Sequence, residues 1–283
     1  MMSPFEHYEF FTEFSDWRHW ADAVDVPATR ASILEKIQAD GFVEPFTRIH
    51  HPSDDIEITP TNLHETISAG ELNARKRALL VVLEAVLTRQ NKRGDAQLRI
   101  LSADGISRIA RILRGEYAYF LGAEYLPTED ARKAYFPVPH MDLQDIAYPD
   151  KSFDVFVSAD VFEHVPNLDK ALHEVYRILK PGGLLVSSFP FGPKRRDTLV
   201  KARLTASGEI EHVMEPEYHG NPVDPDGGSL VFSLPGWDIL EQLREIGFVR
   251  ARFDMVASAR FGVLSDPTLG PLVLVAMKPA NAG

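Results

Sequence analysis

The stretch Pro149-Asp-Lys-Ser-Phe-Asp-Val-Phe-Val-Ser-Ala-Asp-Val-Phe-Glu-His-Val-Pro166, continued by Leu179-Lys-Pro-Gly-Gly-Leu-Leu-Val-Ser-Ser-Phe-Pro190, holds a strand, a helix and a second strand in one unit. Phe153 to Val157 is an apolar run short enough for a buried parallel strand. Ser158, Asp160, Glu163 and His164 then crowd its carboxyl end. In an open parallel sheet that edge is where ligands bind. Leu168, Leu172, Val175, Ile178 and Leu179 recur at helical spacing, so the crossover is an amphipathic helix. Lys180-Pro181-Gly182-Gly183 ends it, since proline cannot continue a helix and glycine supplies turn geometry. Leu184 to Phe189 reads as the next buried strand.

Strand and helix alternate on both sides of this unit. Leu98–Ala103 and Tyr117–Ala123 read as strands, with a helix over Ser107–Leu113 between them. Pro137–His140 reads as a short third strand. Downstream, Trp237–Ile246 is helical and closed by Gly247, Phe248–Val256 is a strand, and Leu272–Met277 is another. Alternation of this kind argues for a parallel sheet covered by helices. Residues 191–230 interrupt it with Pro193, Pro216, Pro222, Pro225 and glycines, and read as an insert. Residues 1–97 have another texture. Phe5, Phe10, Phe11, Phe14, Trp17 and Trp20 cluster near the start, Ala28–Ala39 and Glu71–Thr88 read as helices, and residues 42–66, with Pro45, Pro52 and Pro60, read as irregular. This part is expected to be a helical cap over a domain spanning 98–283.

Composition limits the function classes. The chain has 283 residues, 45% of them hydrophobic, enough for one large core and an appendage. No run approaches the roughly 20 apolar residues of a membrane span. The start, Met1-Met2-Ser3-Pro4-Phe5-Glu6-His7, has no basic region or apolar core of a secretory signal. There is no cysteine, which removes disulfides and thiolate chemistry and is compatible with a cytoplasmic setting. A net charge of −11 opposes phosphate backbones, so no nucleic-acid partner is expected. The Lys194-Arg195-Arg196 patch reads as a solvated loop.

The wording of residues 140–190 resembles the class I S-adenosylmethionine-dependent methyltransferases, in particular their small-molecule, type 11-like group. Weaker similarity runs from about Leu98 to Pro279. The resemblance implies a doubly wound, seven-stranded, mostly parallel Rossmann-like α/β sheet in the order 3-2-1-4-5-7-6, its last strand antiparallel, with S-adenosyl-L-methionine as cofactor. It implies methyl transfer to a small-molecule acceptor and leaves the acceptor open. The clearest cofactor group is Glu124, which follows the second strand 20 residues beyond Asp104, a spacing that reaches a ribose in dinucleotide-type folds. Tyr125 adjoins it. Asp142 fits the family position facing the adenine amine, or else a turn cap, and Leu143 would touch the ring. Ser158 and Asp160 would line the floor beneath the sulfonium. The family's glycine-rich turn is here Ser102-Ala103-Asp104-Gly105-Ile106-Ser107, in which Gly105 alone remains. Ile106 resists left-handed geometry, and Asp104 either binds the cofactor's ammonium or clashes with its carboxylate.

For a hydroxyl acceptor a general base is needed, and histidine is suited to it. His219, within Glu217-Tyr218-His219-Gly220-Asn221-Pro222, is the leading candidate with Tyr218 as its partner; the alternative is a surface loop pinned by turns. His164 is the second candidate, its alternative being a cap on local carbonyls, with Glu163 at a helix N-terminus. His212, Glu215, Glu217, His219, Asp224 and Asp226 have no recognised metal spacing, nor does His50-His51 with Asp54-Asp55, so no metal is expected. Arg75 and Arg77 could reach an anionic substrate, or lie on the wet face of their helix. The leading expectation is O-methylation of a small polar metabolite or saccharide-like acceptor, with 1–97 and 191–230 closing over it. Two alternatives are a binding or scaffolding protein whose altered glycine loop has abolished catalysis, and a non-methylating reaction on the same cofactor.

Overall fold

The computed structural model describes residues 3–59, 61–266 and 268–280; Pro60, counted among the irregular segment above, lies outside them. Seven strands form one sheet: β1 (Glu6–Phe11), β2 (Arg99–Ser102), β3 (Tyr119–Gly122), β4 (Phe153–Ala159), β5 (Leu179–Ser188), β6 (Val249–Ser258) and β7 (Leu272–Met277). Their spatial order is β1-β6-β7-β5-β4-β2-β3. β2 pairs parallel with β3 and β4, and β4 with β5. β7 runs antiparallel beside β5, β6 antiparallel beside β7, and β1 antiparallel beside β6.

The number of strands agrees with the family sheet and the membership does not. Pro137–His140 contributes no strand, only an isolated parallel bridge between Glu124 and His140. The seventh place is taken at the opposite edge by β1, from the segment expected to be a helical cap. Alternation explains how it fits: Phe11 and Tyr8 lie toward the two core faces, while Phe10 is exposed. The Tyr8 hydroxyl donates to Asp254 at 2.5 Å, and Asp254 is fully buried on β6. Residues 1–97 are therefore part of the sheet domain rather than a separate lid.

Helices cover both faces. α4 (Ala74–Arg89), started by the Asn73 side chain accepting from Lys76 N, buries Leu79, Val82, Leu83 and Val86 against Val155, Val157, Val186 and Val275. α5 (Arg108–Glu116) joins it on that face. On the other face α2 (Val26–Asp40), α7 (Leu168–Ile178) and α8 (Ile239–Ile246) bring Ile33, Ile37, Leu172, Val175 and Leu243 onto Phe156, Leu185 and Phe253. α1 (Phe14–Ala23) adds Trp17 to the same core. Short helices α3 (Leu63–Thr66) and α6 (Glu129–Ala134) complete the set used below. The Lys180–Gly183 turn is absorbed into β5 as an irregularity in its pairing with β4, with Gly182 at φ +77°.

Arg77 ties the N-terminal residues to the sheet. Its guanidinium is fully buried and donates to the carbonyls of Ile67, Leu72, Phe261 and Gly262 at 2.6–2.8 Å. It also lies 4.0 Å from the Phe42 ring centroid. It is therefore a structural clamp, neither on a wet face nor open to a substrate. Burial pulls its pKa down to about 9.

Candidate active site

The sheet order reverses between β2 and β4, since β3 lies on one side of β2 and β4–β5 on the other. The crevice outside the carboxyl ends of those strands is the switch point where α/β sheets bind ligands. Four buried serine hydroxyls, Ser102 on β2, Ser158 on β4, and Ser187 and Ser188 on β5, end these neighbouring strands without a hydrogen-bond partner. Buried hydroxyls are ordinarily satisfied, so a run of unpartnered ones at a sheet edge marks a place for polar atoms of a ligand.

The loop after β2 departs from its expectation. Neither Gly105 nor Ile106 adopts positive φ, so the β-branched residue meets no backbone penalty. Gly105 is needed for packing: a Cβ there would stand 2.8 Å from Val138 Cγ1 and 3.0 Å from the Gly122 carbonyl. Asp104 turns back onto the loop, accepting from Ser107 N at 3.0 Å and from the Ser107 hydroxyl. Ser107 in turn caps α5 through Ile109 N and Ala110 N. Asp104 is thus committed to the loop itself.

Glu124, just past β3, accepts from Gly105 N at 2.9 Å, so the carboxylate sits against the loop as the spacing requires. Burial, reinforced by nearby Asp104 and opposed by the Gly105 amide, pushes its pKa up to about 7. Tyr125 is exposed, with its ring 5.6 Å from that of His140. Asp142 accepts from Gln144 N at 2.8 Å through Oδ1, as a turn cap does, while Leu143 is buried in the core. Asp160, just past β4, has φ +56° and is held by Arg75 through Nε at 3.0 Å and Nη2 at 3.1 Å. Arg75 also pairs with Glu65 at 2.6 Å and is largely buried, not on a wet helix face.

Arg75 also borders a cavity of about 240 Å³ lined by His64, Phe189, Phe191, Arg195 and Ser265. The sequence pattern gave no signal for His64, and Arg195, read as part of a solvated loop, instead lines this cavity. Burial lowers the His64 pKa, leaving a neutral imidazole, with Nδ1 3.9 Å from Asp266. The aromatic-rich start of the chain borders a second cavity, of about 480 Å³, at Phe14, Trp17, Trp20 and Lys194.

His164 and His219, 55 positions apart, meet edge to face with ring centroids 5.0 Å apart. The insert brings them together. Its Tyr218–His219 strand pairs with Ser229–Leu230, and the His164 Nδ1 donates to the Leu230 carbonyl at 2.8 Å. His164 thus does not cap a local carbonyl. Glu163 is fully buried in the first turn of a short 3₁₀ helix, Phe162–His164, and neither of its carboxylate oxygens has a hydrogen-bond partner. His219 faces Glu163 at 3.6 Å and Glu217 at 3.1 Å. Glu163, and after it Glu217, hold the His219 pKa above its ordinary value despite burial. Tyr218, adjacent on the strand, is 57% exposed and does not share this face.

Residues 103–187 match the model of a methyltransferase domain. The chain is 33% identical over 153 residues to a demethylmenaquinone methyltransferase of Thermus thermophilus, covering 49% of this chain and 65% of that protein. It is 28% identical over 157 residues to a 27-O-demethylrifamycin SV methyltransferase of Amycolatopsis mediterranei, covering 50% and 58%. Residues 103–187 thus form a domain similar to those of the class I S-adenosylmethionine-dependent methyltransferases. The chain spans less than two thirds of the length of these relatives. Among solved structures, an S-adenosylmethionine-dependent methyltransferase of Mesorhizobium loti aligns at TM-score 0.42 and 18% identity, covering 69% of this chain and 96% of that one.

The crevice fits S-adenosylmethionine in its donor set. An acid capable of accepting two hydroxyls lies against Gly105, and unpartnered serine hydroxyls end β2, β4 and β5. Among the described residues no helix is long and apolar enough to cross a membrane.

Proposed function

We propose that the chain transfers the methyl group of S-adenosylmethionine to an oxygen of a small polar acceptor, a metabolite or saccharide-like molecule. The observation that carries this reading is the Glu124 carboxylate, seated against the Gly105 amide at the switch point of the sheet. Glu124 would hold the ribose hydroxyls, Tyr125 and Leu143 would flank the adenine, and Ser102, Ser158 and Asp160 would line the remainder. When bound, the cofactor supplies an electrophilic methyl on a sulfonium.

The chain's own residues do the rest. Arg75 belongs at once to the Asp160 ion pair and to the cavity wall, so the cavity adjoins the crevice through that pair. Its volume of about 240 Å³ suits an acceptor smaller than most drug-sized ligands. His64, kept neutral by burial, lines that cavity and would take the hydroxyl proton, and Arg195 would offer a second cation to polar acceptor atoms. Phe189 and Phe191 exclude water from the same space.

Calorimetry with S-adenosylhomocysteine tests the cofactor half, and turnover on an acceptor panel tests the other. Glu124→Ala is expected to weaken binding about 10- to 100-fold, the loss of charged hydrogen bonds. His64→Ala is expected to lower turnover at least about 100-fold with cofactor affinity unchanged. Full binding by Glu124→Ala would refute the ribose assignment. Full turnover by His64→Ala, with loss on His219→Ala, would return the base to the insert.

A further inference from the structure

We propose that Glu163, His164 and His219 form a binding site for one divalent transition-metal ion of the zinc type. The proposal stands on these three side chains and does not depend on methyl transfer.

The proton positions of both imidazoles follow from their outer partners. A carbonyl oxygen only accepts, so His164 Nδ1, 2.8 Å from the Leu230 carbonyl, carries the hydrogen, and Nε2 is left as a lone pair. A carboxylate likewise accepts, so His219 Nε2, 3.1 Å from Glu217, carries a hydrogen, and in the neutral ring Nδ1 is the lone pair. Both free nitrogens face the same Glu163 oxygen, each at 3.6 Å. With the His219 ring neutral, three acceptors converge with no donor among them.

Glu163 sharpens the point. It is fully buried, and both its oxygens lack a hydrogen-bond partner. A buried carboxylate without a compensating group is strongly unfavourable. A cation bound among the three acceptors removes that penalty. The three ligand atoms lie within 4.8 Å of one another, and around a tetrahedral zinc ion with bonds of roughly 2.1 Å they would stand roughly 3.4 Å apart. Small movements bring them in.

The surroundings match a metal centre in a second respect. Metal-bound histidines donate their other ring N–H to a carbonyl or carboxylate, which fixes tautomer and orientation. His164 and His219 each have such a partner, Leu230 and Glu217. Glu217 is in turn held by Lys201. Two nitrogens and one carboxylate select a borderline transition metal over magnesium or calcium, which prefer oxygen ligands. The histidines reach solvent on one side, so further coordination positions are open to water or an acceptor oxygen.

The test uses the whole chain, freed of metal by chelator and titrated with Zn²⁺, with Co²⁺ as a spectroscopic probe and Mg²⁺ as a comparison. One Zn²⁺ per chain, visible Co²⁺ ligand-field absorption displaced by Zn²⁺, and no effect of Mg²⁺ are expected. His164→Ala and His219→Ala should each weaken binding at least tenfold, and Glu217→Gln about 10- to 100-fold as an orienting partner. His212→Ala, exposed on its hairpin, should leave affinity unchanged. The histidines are partly exposed, so their variants give a reading even where Glu163→Gln fails to fold. Absence of one-to-one binding overturns the proposal: the inward space is then filled by a proton on His219. Binding unchanged in both histidine variants also overturns it. Either failure leaves the Glu124 titration untouched, so it is separable from failure of the methyltransferase reading.

Discussion

At the scale of single residues, Glu124 governs how this molecule should respond to pH. Its folded pKa of about 7 lies above the usual 4.5, with burial the main cause. A carboxyl raised in this way binds its proton more tightly in the folded state. Its favourable contribution is therefore present below the ordinary value and is lost as pH rises toward 7. At about 1.4 kcal/mol per unit, ionisation costs the folded state about 3 kcal/mol by pH 8. Glu124→Gln removes the titration. Urea denaturation at pH 5 and pH 8 should show the variant gaining on the parent by about 2.5 kcal/mol between the two. A constant difference would mean that Glu124 titrates normally. Affinity for S-adenosylhomocysteine should rise through pH 7, because a carboxylate accepts two hydroxyls better than its acid does.

The same residue shows what could be read from sequence. Strand end and spacing sufficed to anticipate a carboxylate against the loop after β2, which is where Glu124 lies. Asp104 and Gly105 were found in the right place for another reason: Gly105 exists to let the loop close on Gly122, and Asp104 to hold Ser107. Tyr218 was misjudged as His219's partner because strand alternation sends neighbours to opposite faces. The meeting of His164 and His219 depends on how the insert folds back, and no local pattern encodes that.

At the scale of elements, the periodic segments were legible and the edges were not. α4, α7, α8 and the strands from β2 to β7 follow hydrophobic spacing that buried packing demands. β1 gave no such signal, because an edge strand is half exposed and its Phe10 and Phe11 point to different sides. Its pairing is a long-range event with β6. Removing residues 3–13 should expose the β6 edge together with buried Asp254. The truncated chain is expected to aggregate and to lose cooperative thermal unfolding. A detachable lid would instead leave a monomer with the parent's melting temperature; light scattering and calorimetry distinguish the two.

At the scale of the whole molecule, Arg77 holds the segment around Ile67–Leu72 to the loop that follows β6. Its donors satisfy two carbonyls from each side, Ile67 and Leu72 on one and Phe261 and Gly262 on the other. Arg77→Met keeps the apolar stem and strands those carbonyls. It is expected to cost about 3–5 kcal/mol, the range for breaking a buried charged network, read as a fall in urea midpoint at an unchanged slope. A shallower slope would reveal that the N-terminal third separates first. A change under 1 kcal/mol would show that the clamp is dispensable.

The Tyr8–Asp254 contact spans 246 positions of chain. During synthesis Glu6–Phe11 leaves the ribosome long before Val249–Ser258 exists to receive it. Until then its two phenylalanines have no sheet to join and are open to chaperones or to neighbouring nascent chains. Sealing of the sheet is thus a late, near-final event, and premature termination anywhere upstream of residue 249 yields a product whose leading segment can never dock.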